Sequence, residues 1–269
     1  MMNNTYIGND GLLYCATCHM PRLRRFPMPM FGKDYTVHVM CSCEKKAYEK
    51  EQALRQKREF DDMVARNRSV CFCEKQMYGW TFANDNGSAP AMEKARAYVN
   101  EWDRVRKKGI GLLLWGGVGS GKTYMAASIA NALLDQGCKV LMRDFAQISN
   151  ISVFDSEEYV RSLSDYSLLI LDDLGAERKS EFAMQNVFNV INRRWESGKP
   201  LIVTTNQTIA EMKSKTELQE LRIYDRILSM CTPLCVKGES LRIENRKLNK
   251  EELRDIFNNA EYSRTQSGG

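Results

Sequence analysis

Between about residue 75 and about residue 245, short apolar runs alternate with longer segments that are apolar on one side only. The runs are four to seven residues long and are bounded by glycine, proline or charged residues, which is typical of buried strands. They lie at 111–116, 139–142, 167–173, 200–206 and 233–238.

Two of the intervening segments have the spacing of an amphipathic helix. The first has one apolar face before Gly137, formed by Met125, Ala126, Ile129, Ala130, Leu133 and Leu134. The second has another before Gly198, formed by Met184, Phe188, Ile191 and Trp195. Glycine just past the last apolar position predicts the end of each helix. Strands that alternate with helices predict an α/β fold with a parallel sheet flanked by helices.

The regions outside this alternation differ in composition. Residues 1–45 are rich in cysteine, and residues 44–68 hold eight basic and six acidic residues among 25. Such a charged segment with a thin apolar stripe favours a solvated helix or a connector. We therefore predict a small cysteine-rich domain at 1–45, a charged helical linker at 46–77, the α/β domain at 78–245 and a charged, flexible tail at 246–269.

Composition narrows the setting of the protein. No apolar run reaches the roughly 20 residues that a membrane helix needs, and the first ten residues lack the basic and apolar blocks of a signal peptide. We therefore expect a cytoplasmic protein with no membrane partner. A net charge of +5 is compatible with nucleic acid but has many other causes. Nine cysteines in this setting favour metal ligands and buried thiols over disulfides.

The turn after the first apolar run matches the pattern G-x-x-x-x-G-K-[ST]. It consists of Gly116, Gly117, Val118, Gly119, Ser120, Gly121, Lys122 and Thr123. Its glycines let backbone N–H groups turn toward a phosphate, Lys122 can reach the β- and γ-phosphates, and Thr123 offers a hydroxyl to Mg²⁺. The predicted strand before it and helix after it separate this motif from a chance glycine-rich turn. The stretch predicts a site for ATP and Mg²⁺.

Polar residues follow two of the later predicted strands. Asp172 and Asp173 end the run at 167–173, at the edge of the sheet where ligands bind. We assign Asp172 to Mg²⁺ and Asp173 to the water that attacks the γ-phosphate, although Asp173 also suits a helix N-cap. Asn206 follows Thr204 and Thr205 and is a candidate sensor of the γ-phosphate, although asparagine also ends strands in ordinary turns.

Two arginines lie four residues apart in the helical segment after Asn206. Arg222 and Arg226 therefore share one face of that helix. An arginine presented at the rim of the sheet can stabilise transition-state charge on the nucleotide of a neighbouring subunit. The alternative is a solvated face with ion pairs to Glu220 or Asp225, and the spacing leaves both open.

The cysteines near the N-terminus have the spacing of metal ligands. Cys15-x-x-Cys18 is followed after 22 residues by Cys41-x-Cys43. Four thiolates suit tetrahedral Zn²⁺, and a closed site of this kind is structural because no position is left for water. A short region with few large apolar residues would gain most of its stability from the metal, and free thiols in a loose segment are the alternative. Other candidate ligands are His19, His38, Cys71 and Cys73.

The series GGVGSGKT, LLILDDLG, TTN and LRIYDRI, in this order and spacing, resembles the AAA+ ATPases of the DnaC/DnaI-type helicase loaders, and we expect a phage or prophage version. The same core is found in the IstB-type ATPases that assist insertion-sequence transposases. The resemblance covers about residues 78–245 and includes WTFANDNG ahead of the core. It implies a P-loop NTPase fold of the AAA+/ASCE class, ATP hydrolysis, Arg226 as the arginine finger and Arg222 as its helper.

The resemblance also implies partners. It favours a loader that places a DnaB-type replicative helicase on single-stranded DNA during replication initiation, works as an AAA+ oligomer, and engages the helicase through an N-terminal zinc domain. Arg143, Phe145 and Phe154 lie in the region where loaders touch DNA, and they could equally be core or surface residues. The alternative is an IstB-like regulator of a transposase that binds duplex DNA, which the cysteine-rich front fits less well. A small-molecule kinase, a third class, has no use for Asn206 and a trans-acting arginine.

Two departures from the family pattern bear on the mechanism. Many AAA+ proteins have Asp-Glu where this chain has Asp172-Asp173. The shorter side chain lies about one methylene farther from the water, which predicts slow hydrolysis suited to a switch. The second sensor, an arginine usually carried by a C-terminal lid, has no clear match, and Arg242 is the candidate.

Overall fold

The computed structural model describes residues 4–25, 35–85, 87, 90–151, 156–175, 180–238 and 253–254. Of the tail expected at 246–269, only residues 253–254 belong to this described part. The chain divides into two compact units, the N-terminal unit (Met1–Met63) and the α/β unit (Val64–Gly269). Each unit has its own strands.

The N-terminal unit contains two antiparallel strand pairs and the first part of a long helix. β1 (Thr5–Ile7) pairs with β2 (Leu13–Cys15), and β3 (Leu23–Arg25) pairs with β4 (Thr36–His38). The helix α1 (Ser42–Cys71) contains the charged segment at 44–68 and is largely exposed over that segment. Among the described residues of this unit, only Cys15 and Cys41 are buried. The unit therefore has almost no apolar core.

The α/β unit is built on a five-stranded parallel sheet with the strand order β6-β7-β8-β5-β9. Its strands are β5 (Gly111–Trp115), β6 (Val140–Asp144), β7 (Leu168–Leu174), β8 (Leu201–Thr205) and β9 (Cys231–Cys235). Each strand coincides with one predicted apolar run, although β9 begins two residues before the run at 233–238. The predicted parallel, helix-flanked sheet is confirmed.

The helices of the α/β unit vary widely in length. They are α2 (Met92–Asn100), α3 (Trp102–Lys108), α4 (Lys122–Asp135), α5 (Phe145–Ser149), α6 (Ser156–Ser162), α7 (Glu181–Glu196), α8 (Ile209–Lys213) and α9 (Leu218–Met230). The two amphipathic helices that the sequence predicts are α4 and α7, which end before Gly137 and Gly198. Helices α5, α6 and α8 are only five to seven residues long, too short for a helical period to show. None of the described helices combines the length and apolar content that a membrane span requires.

Apolar side chains cover both faces of this sheet. One layer, packed with α2, α3 and α4, includes Leu114 and Ile170. The other, packed with α7 and α9, includes Leu113 and Leu171. Because successive strand residues point to opposite faces, continuous apolar runs are needed when both faces are covered. This explains why the strands lack a polar alternation.

The last turn of α7 differs from the sequence prediction. Trp195, expected on the apolar face, is 52% exposed, whereas Arg194 is only 2% exposed. This guanidinium donates hydrogen bonds of 2.6 to 3.0 Å to the carbonyl oxygens of Tyr166, Ser167 and Pro200. These carbonyls precede β7 and β8, and buried carbonyls require donors. The helix therefore turns arginine rather than tryptophan toward the sheet.

Candidate nucleotide-binding site and cysteine cluster

The phosphate loop, residues 116–123, connects β5 to α4. Gly116 lies so close to the chain after β9 that a Cβ atom there would be 2.3 Å from the carbonyl oxygen of Val236. Gly121 precedes α4 with a φ of +92°, in the left-handed region that favours glycine. Close approach and positive φ thus explain the first and last glycines of the loop. Between them lie Gly117, the exposed Val118, Gly119 and the buried Ser120.

Lys122 is turned back over the phosphate loop. Its side chain is 7% exposed, and Nζ donates to the carbonyl oxygens of Gly116 at 2.9 Å and Gly117 at 2.7 Å. The Oγ atom of Ser120 lies 3.5 Å from the same nitrogen. Charge-assisted hydrogen bonds to phosphate are stronger than those to neutral carbonyls, so this ammonium can exchange loop oxygens for phosphate oxygens.

The structure brings Thr123 and Asp172 together across the sheet edge. The Asp172 carboxylate, at the carboxyl end of β7, accepts a hydrogen bond of 2.5 Å from the hydroxyl of Thr204, and the hydroxyl of Thr123 lies near enough to lower its pKa. Burial raises the pKa of Asp172 above its ordinary value of 3.8, and the two hydroxyls act in the opposite direction. A partly buried carboxylate beside a threonine hydroxyl offers the oxygen ligands that Mg²⁺ prefers, so these residues fit the ion.

Asp173 lies at an irregularity between β7 and β8. The strand register shifts between Leu171 and Leu174, and Asp173 has a φ of +61°. Its side chain is exposed, and Oδ1 accepts a hydrogen bond of 3.2 Å from Nδ2 of Asn206. Asp173 does not cap the following helix, because Ser180 is the N-cap of α7. The structure therefore places Asp173 and Asn206 side by side.

Thr204 is the residue at this site to which the sequence analysis assigned no role. It is 1% exposed in β8, and its Oγ1 donates to Oδ1 of Asp172 at 2.5 Å while accepting from the backbone N–H of Asp173 at 2.9 Å. The only sequence signal was that Thr204 opens the polar run at the end of an apolar strand. That position does not show which neighbouring strand a hydroxyl faces.

The two candidate arginines lie on α9, and Arg226 is held against α7. Its Nε donates to Oδ1 of Asn192 at 3.0 Å, and its guanidinium carbon lies 4.7 Å from the ring centre of Phe188 and 5.9 Å from that of Trp195. Arg222 is exposed. Within the described part of the chain, neither guanidinium hydrogen-bonds to the phosphate loop or to the acidic pair of its own chain.

Other candidates lie away from this site. Phe145 is completely buried, and Arg143 donates to the carbonyl oxygens of Val70 at 3.1 Å and Cys71 at 3.0 Å, where α1 ends. Phe145 is thus a core residue and Arg143 a cap of α1. The carboxylate of Glu220 lies 3.7 Å from the ammonium of Lys215, so it forms an ion pair with this lysine and not with either candidate arginine. Phe154 and Arg242 lie outside the described residues.

Four cysteines of the N-terminal unit meet at one point. The Sγ atoms of Cys15, Cys18, Cys41 and Cys43, here called the cysteine cluster, all lie within 4.8 Å of one another. The first two come from the end of β2 and the turn after it, and the others from the residue just before α1 and from its first turn. Thiolates around tetrahedral Zn²⁺ lie about 3.8 Å apart, given Zn–S bonds of about 2.3 Å. The four residues therefore fit the ion.

The four thiols interact with one another, and the alternative ligands lie outside the cluster. Hydrogen bonds, chiefly from the Ser42 hydroxyl, lower the pKa of Cys18 to about 5, and the hydrogen bond to Cys18 raises the pKa of Cys43 to about 11. The Nδ1 atom of His19 instead lies 3.2 Å from the hydroxyl of Tyr6. The remaining alternatives, which are not part of the cluster, are His38, Cys71 and Cys73.

The chain is similar to ATP-binding proteins. The family described as IstB-like ATP binding protein matches residues 41–249. Replicative helicase loader DnaC of Escherichia coli (strain K12) is 32% identical over 148 residues, which cover 52% of this chain and 58% of that protein. Replicative helicase loader DnaI of Bacillus subtilis (strain 168) is 28% identical over 189 residues, which cover 64% of this chain and 61% of that protein.

The chain thus spans about three fifths of the length of these two curated relatives. Among solved structures, a crystal structure of DnaI matches 65% of this chain and 98% of its own, with a TM-score of 0.54 and 23% identity. That likeness concerns the fold.

Proposed function

This chain belongs to the family of IstB-like ATP-binding proteins, and from that premise we propose that it is an ATP-dependent loader of a replicative DNA helicase. In this proposal it binds a DnaB-type helicase and single-stranded DNA, assembles with further copies of itself, and uses slow ATP hydrolysis as a switch. One observation carries the proposal. The Thr123–Asp172 and Asp173–Asn206 pairs meet at one sheet edge, in a chain whose relatives include two proteins named replicative helicase loaders.

The phosphate loop is the proposed site of the nucleotide. Lys122 binds the β- and γ-phosphates, and backbone N–H groups of the loop and of the start of α4 surround the rest of the anion. Thr123 and Asp172 are the proposed ligands of Mg²⁺, which supplies positive charge to the phosphate oxygens when it is bound. Burial of Asp172 limits competition by water for its carboxylate.

Asp173 is the proposed base that orients the attacking water, and Asn206 the proposed sensor. The hydrogen bond of 3.2 Å between them fixes the carboxylate relative to the end of β8. Because aspartate is shorter than glutamate, we expect turnover below about 1 s⁻¹ without a partner, at the low end of ordinary enzymes. Faster turnover by the purified protein alone would contradict the switch.

Arg226 is the proposed arginine finger and Arg222 its helper. The contacts of Arg226 with Asn192, Phe188 and Trp195 favour one orientation of its guanidinium before any assembly forms. In an oligomer this α9 face would approach the nucleotide of the next copy and stabilise charge in the transition state.

The cysteine cluster is the proposed site of one structural Zn²⁺, and the N-terminal unit the proposed contact with the helicase. Four thiolates leave no open position, so we assign no catalytic role to the ion. Exposed aromatic and aliphatic side chains in this unit support a role in binding a protein. Among the described residues they are Tyr6, Ile7, Met20, Tyr35, Val37, Met40, Tyr48, Leu54 and Phe60.

Co-purification tests the proposal. The full chain is mixed with the host DnaB-type helicase in ATP, in ADP and without nucleotide. We expect a complex in ATP, at least about tenfold weaker for Cys18→Ser than for the matched control Cys73→Ser, whose thiol lies outside the cluster. We also expect Lys122→Ala to abolish the difference between ATP and ADP.

The family description favours one alternative, an IstB-like ATPase that binds duplex DNA and regulates a transposase. It is distinguished by the same experiment with a transposase and duplex DNA in place of the helicase. Binding to these, with no helicase complex in any nucleotide state, would replace the loader proposal.

A further inference from the structure

We propose that Thr204 is a positioning residue for ATP hydrolysis, through which one buried hydroxyl aligns both acidic side chains. This inference rests on the hydrolysis proposed above. The hydroxyl donates to Oδ1 of Asp172 at 2.5 Å and accepts from the N–H of Asp173 at 2.9 Å. Since a hydroxyl has one proton, these two partners together fix its rotation.

The backbone of Asp173 explains why the hydroxyl is needed. Among the non-glycine residues that the structure describes, only His19 and Asp173 have a positive φ. The register shift between β7 and β8 takes this part of β7 out of the regular ladder, and the Thr204 side chain accepts the Asp173 N–H there. Without that acceptor, Asp173 is expected to relax toward negative φ, which turns its carboxylate away from Asn206.

Packing supports a chemical rather than a space-filling role. Thr204 follows the apolar run Leu201, Ile202 and Val203 in β8 and is 1% exposed. Valine has nearly the same shape and strong strand propensity, so the hydroxyl at this position has to be explained by its partners. Both partners belong to the acidic pair.

The next residue offers a matched control. Thr205 is fully buried, and its hydroxyl donates to the carbonyl oxygen of Leu174 at 2.9 Å and accepts from the N–H of Gln207 at 3.1 Å. It joins the same two strands but touches neither carboxylate. Losing this hydroxyl therefore tests the general cost of removing a buried hydrogen bond between β7 and β8.

The experiment compares Thr204→Val, Thr204→Ser and Thr205→Val in the full chain. Three quantities are measured: ATP turnover, the melting temperature, and the affinity for a fluorescent ATP analogue in Mg²⁺ and in EDTA. We expect Thr204→Val to lower kcat about 10- to 100-fold with KM within about threefold. It should also reduce the gain in analogue affinity that Mg²⁺ produces by at least about fivefold. Thr204→Ser should stay within about threefold of the wild type in both.

Three results would overturn the inference. The first is a Thr204→Val variant with the turnover of the wild type and the same Mg²⁺-dependent gain in analogue affinity (the Mg²⁺ gain). The second is a Thr204→Ser variant as impaired as Thr204→Val. The third is a Thr205→Val variant that loses as much of the Mg²⁺ gain as Thr204→Val does. If Thr204→Val does not fold, Thr204→Cys is tested against the same thresholds. A wild-type protein with neither turnover nor Mg²⁺ gain would instead refute the proposed ATPase itself.

Discussion

The N-terminal unit and the α/β unit are ordered by different means. Among its described residues, the N-terminal unit buries only Cys15 and Cys41, and several of its large apolar side chains face solvent. The α/β unit instead encloses its sheet between two apolar layers, with residues such as Leu113 and Leu169 completely buried. Burial of apolar area is the main favourable term in folding, so the first unit needs another source of stability. The cysteine cluster is the feature that can supply it.

The same difference separates two kinds of functional site. With the proposed zinc bound, the cysteine cluster would also hold the unit together, because the free energy of metal binding is also free energy of folding. In the α/β unit the apolar core holds the strands, and polar residues at the strand ends are available for chemistry. A site of the second kind can contain a group that costs stability, as the partly buried Asp172 does.

Metal removal should have the largest effect and should act on one unit only. After chelation, or in Cys18→Ser, we expect amide hydrogen exchange at 4–25 and 35–63 to accelerate at least about 100-fold, while β5 to β9 keep their protection. Mass spectrometry of exchanged fragments measures both units in one sample.

The control for metal removal is Cys73→Ser, because this exposed thiol lies outside the cluster. It should retain one zinc per chain and wild-type exchange. Two results would contradict the idea that metal binding stabilises the N-terminal unit. One is amide protection at 4–25 that does not change when chelator is added, and the other is protein that contains no zinc after purification without chelator.

Replacing the buried guanidinium of Arg194 should have the second largest effect on stability, and the effect should be confined to the α/β unit. Burial lowers the pKa of Arg194 to about 10, yet three carbonyl oxygens depend on it. Arg194→Met removes this shared donor, although the Pro200 oxygen keeps the N–H of Leu169 at 3.5 Å, and we expect a loss of about 3 kcal/mol in the free energy of unfolding by urea.

The matched variant is Arg193→Met, whose guanidinium is half exposed beside Glu196. It should cost less than about 0.5 kcal/mol, since exposed ion pairs contribute little. Zinc content should be unchanged in both variants. Equal effects of the two substitutions would show that Arg194 is not a structural donor.

Asp172→Asn should have the smallest effect on the free energy of unfolding, and it should stabilise the protein where the other substitutions destabilise it. Burial raises the pKa of Asp172 in the folded state above its ordinary value of 3.8, so the charged form costs stability at neutral pH. We expect the variant to gain up to about 1 kcal/mol at pH 7 and to lose its Mg²⁺-dependent nucleotide affinity. The gain should vanish as the pH falls below about 3.8, where the carboxyl is neutral in both states. Urea unfolding at several pH values measures it, and a destabilised variant at pH 7 would contradict the assignment.

Local patterns predicted much of this protein. The five strands follow from apolar runs, α4 and α7 from helical spacing, and the phosphate loop from glycines whose backbone constraints are themselves local. The spacing of Cys15 and Cys18 likewise predicted two neighbours in the cluster, because a two-residue gap can bring both sulfurs to one point.

Contacts between distant segments were decided only by the tertiary structure. The sequence proposed His19 and His38 as alternatives to the cysteines, and only the folded N-terminal unit brings Cys41 and Cys43 to the first pair. Helical periodicity predicted Trp195 on the apolar face. In the structure Arg194 is buried there instead, because it donates hydrogen bonds to the carbonyl oxygens that precede β7 and β8. Thr204 reaches both acids only because β7 and β8 are neighbours and their register shifts at Asp173. Strand order and register arise from packing of the whole sheet, so no local pattern specifies which hydroxyl meets which carboxylate.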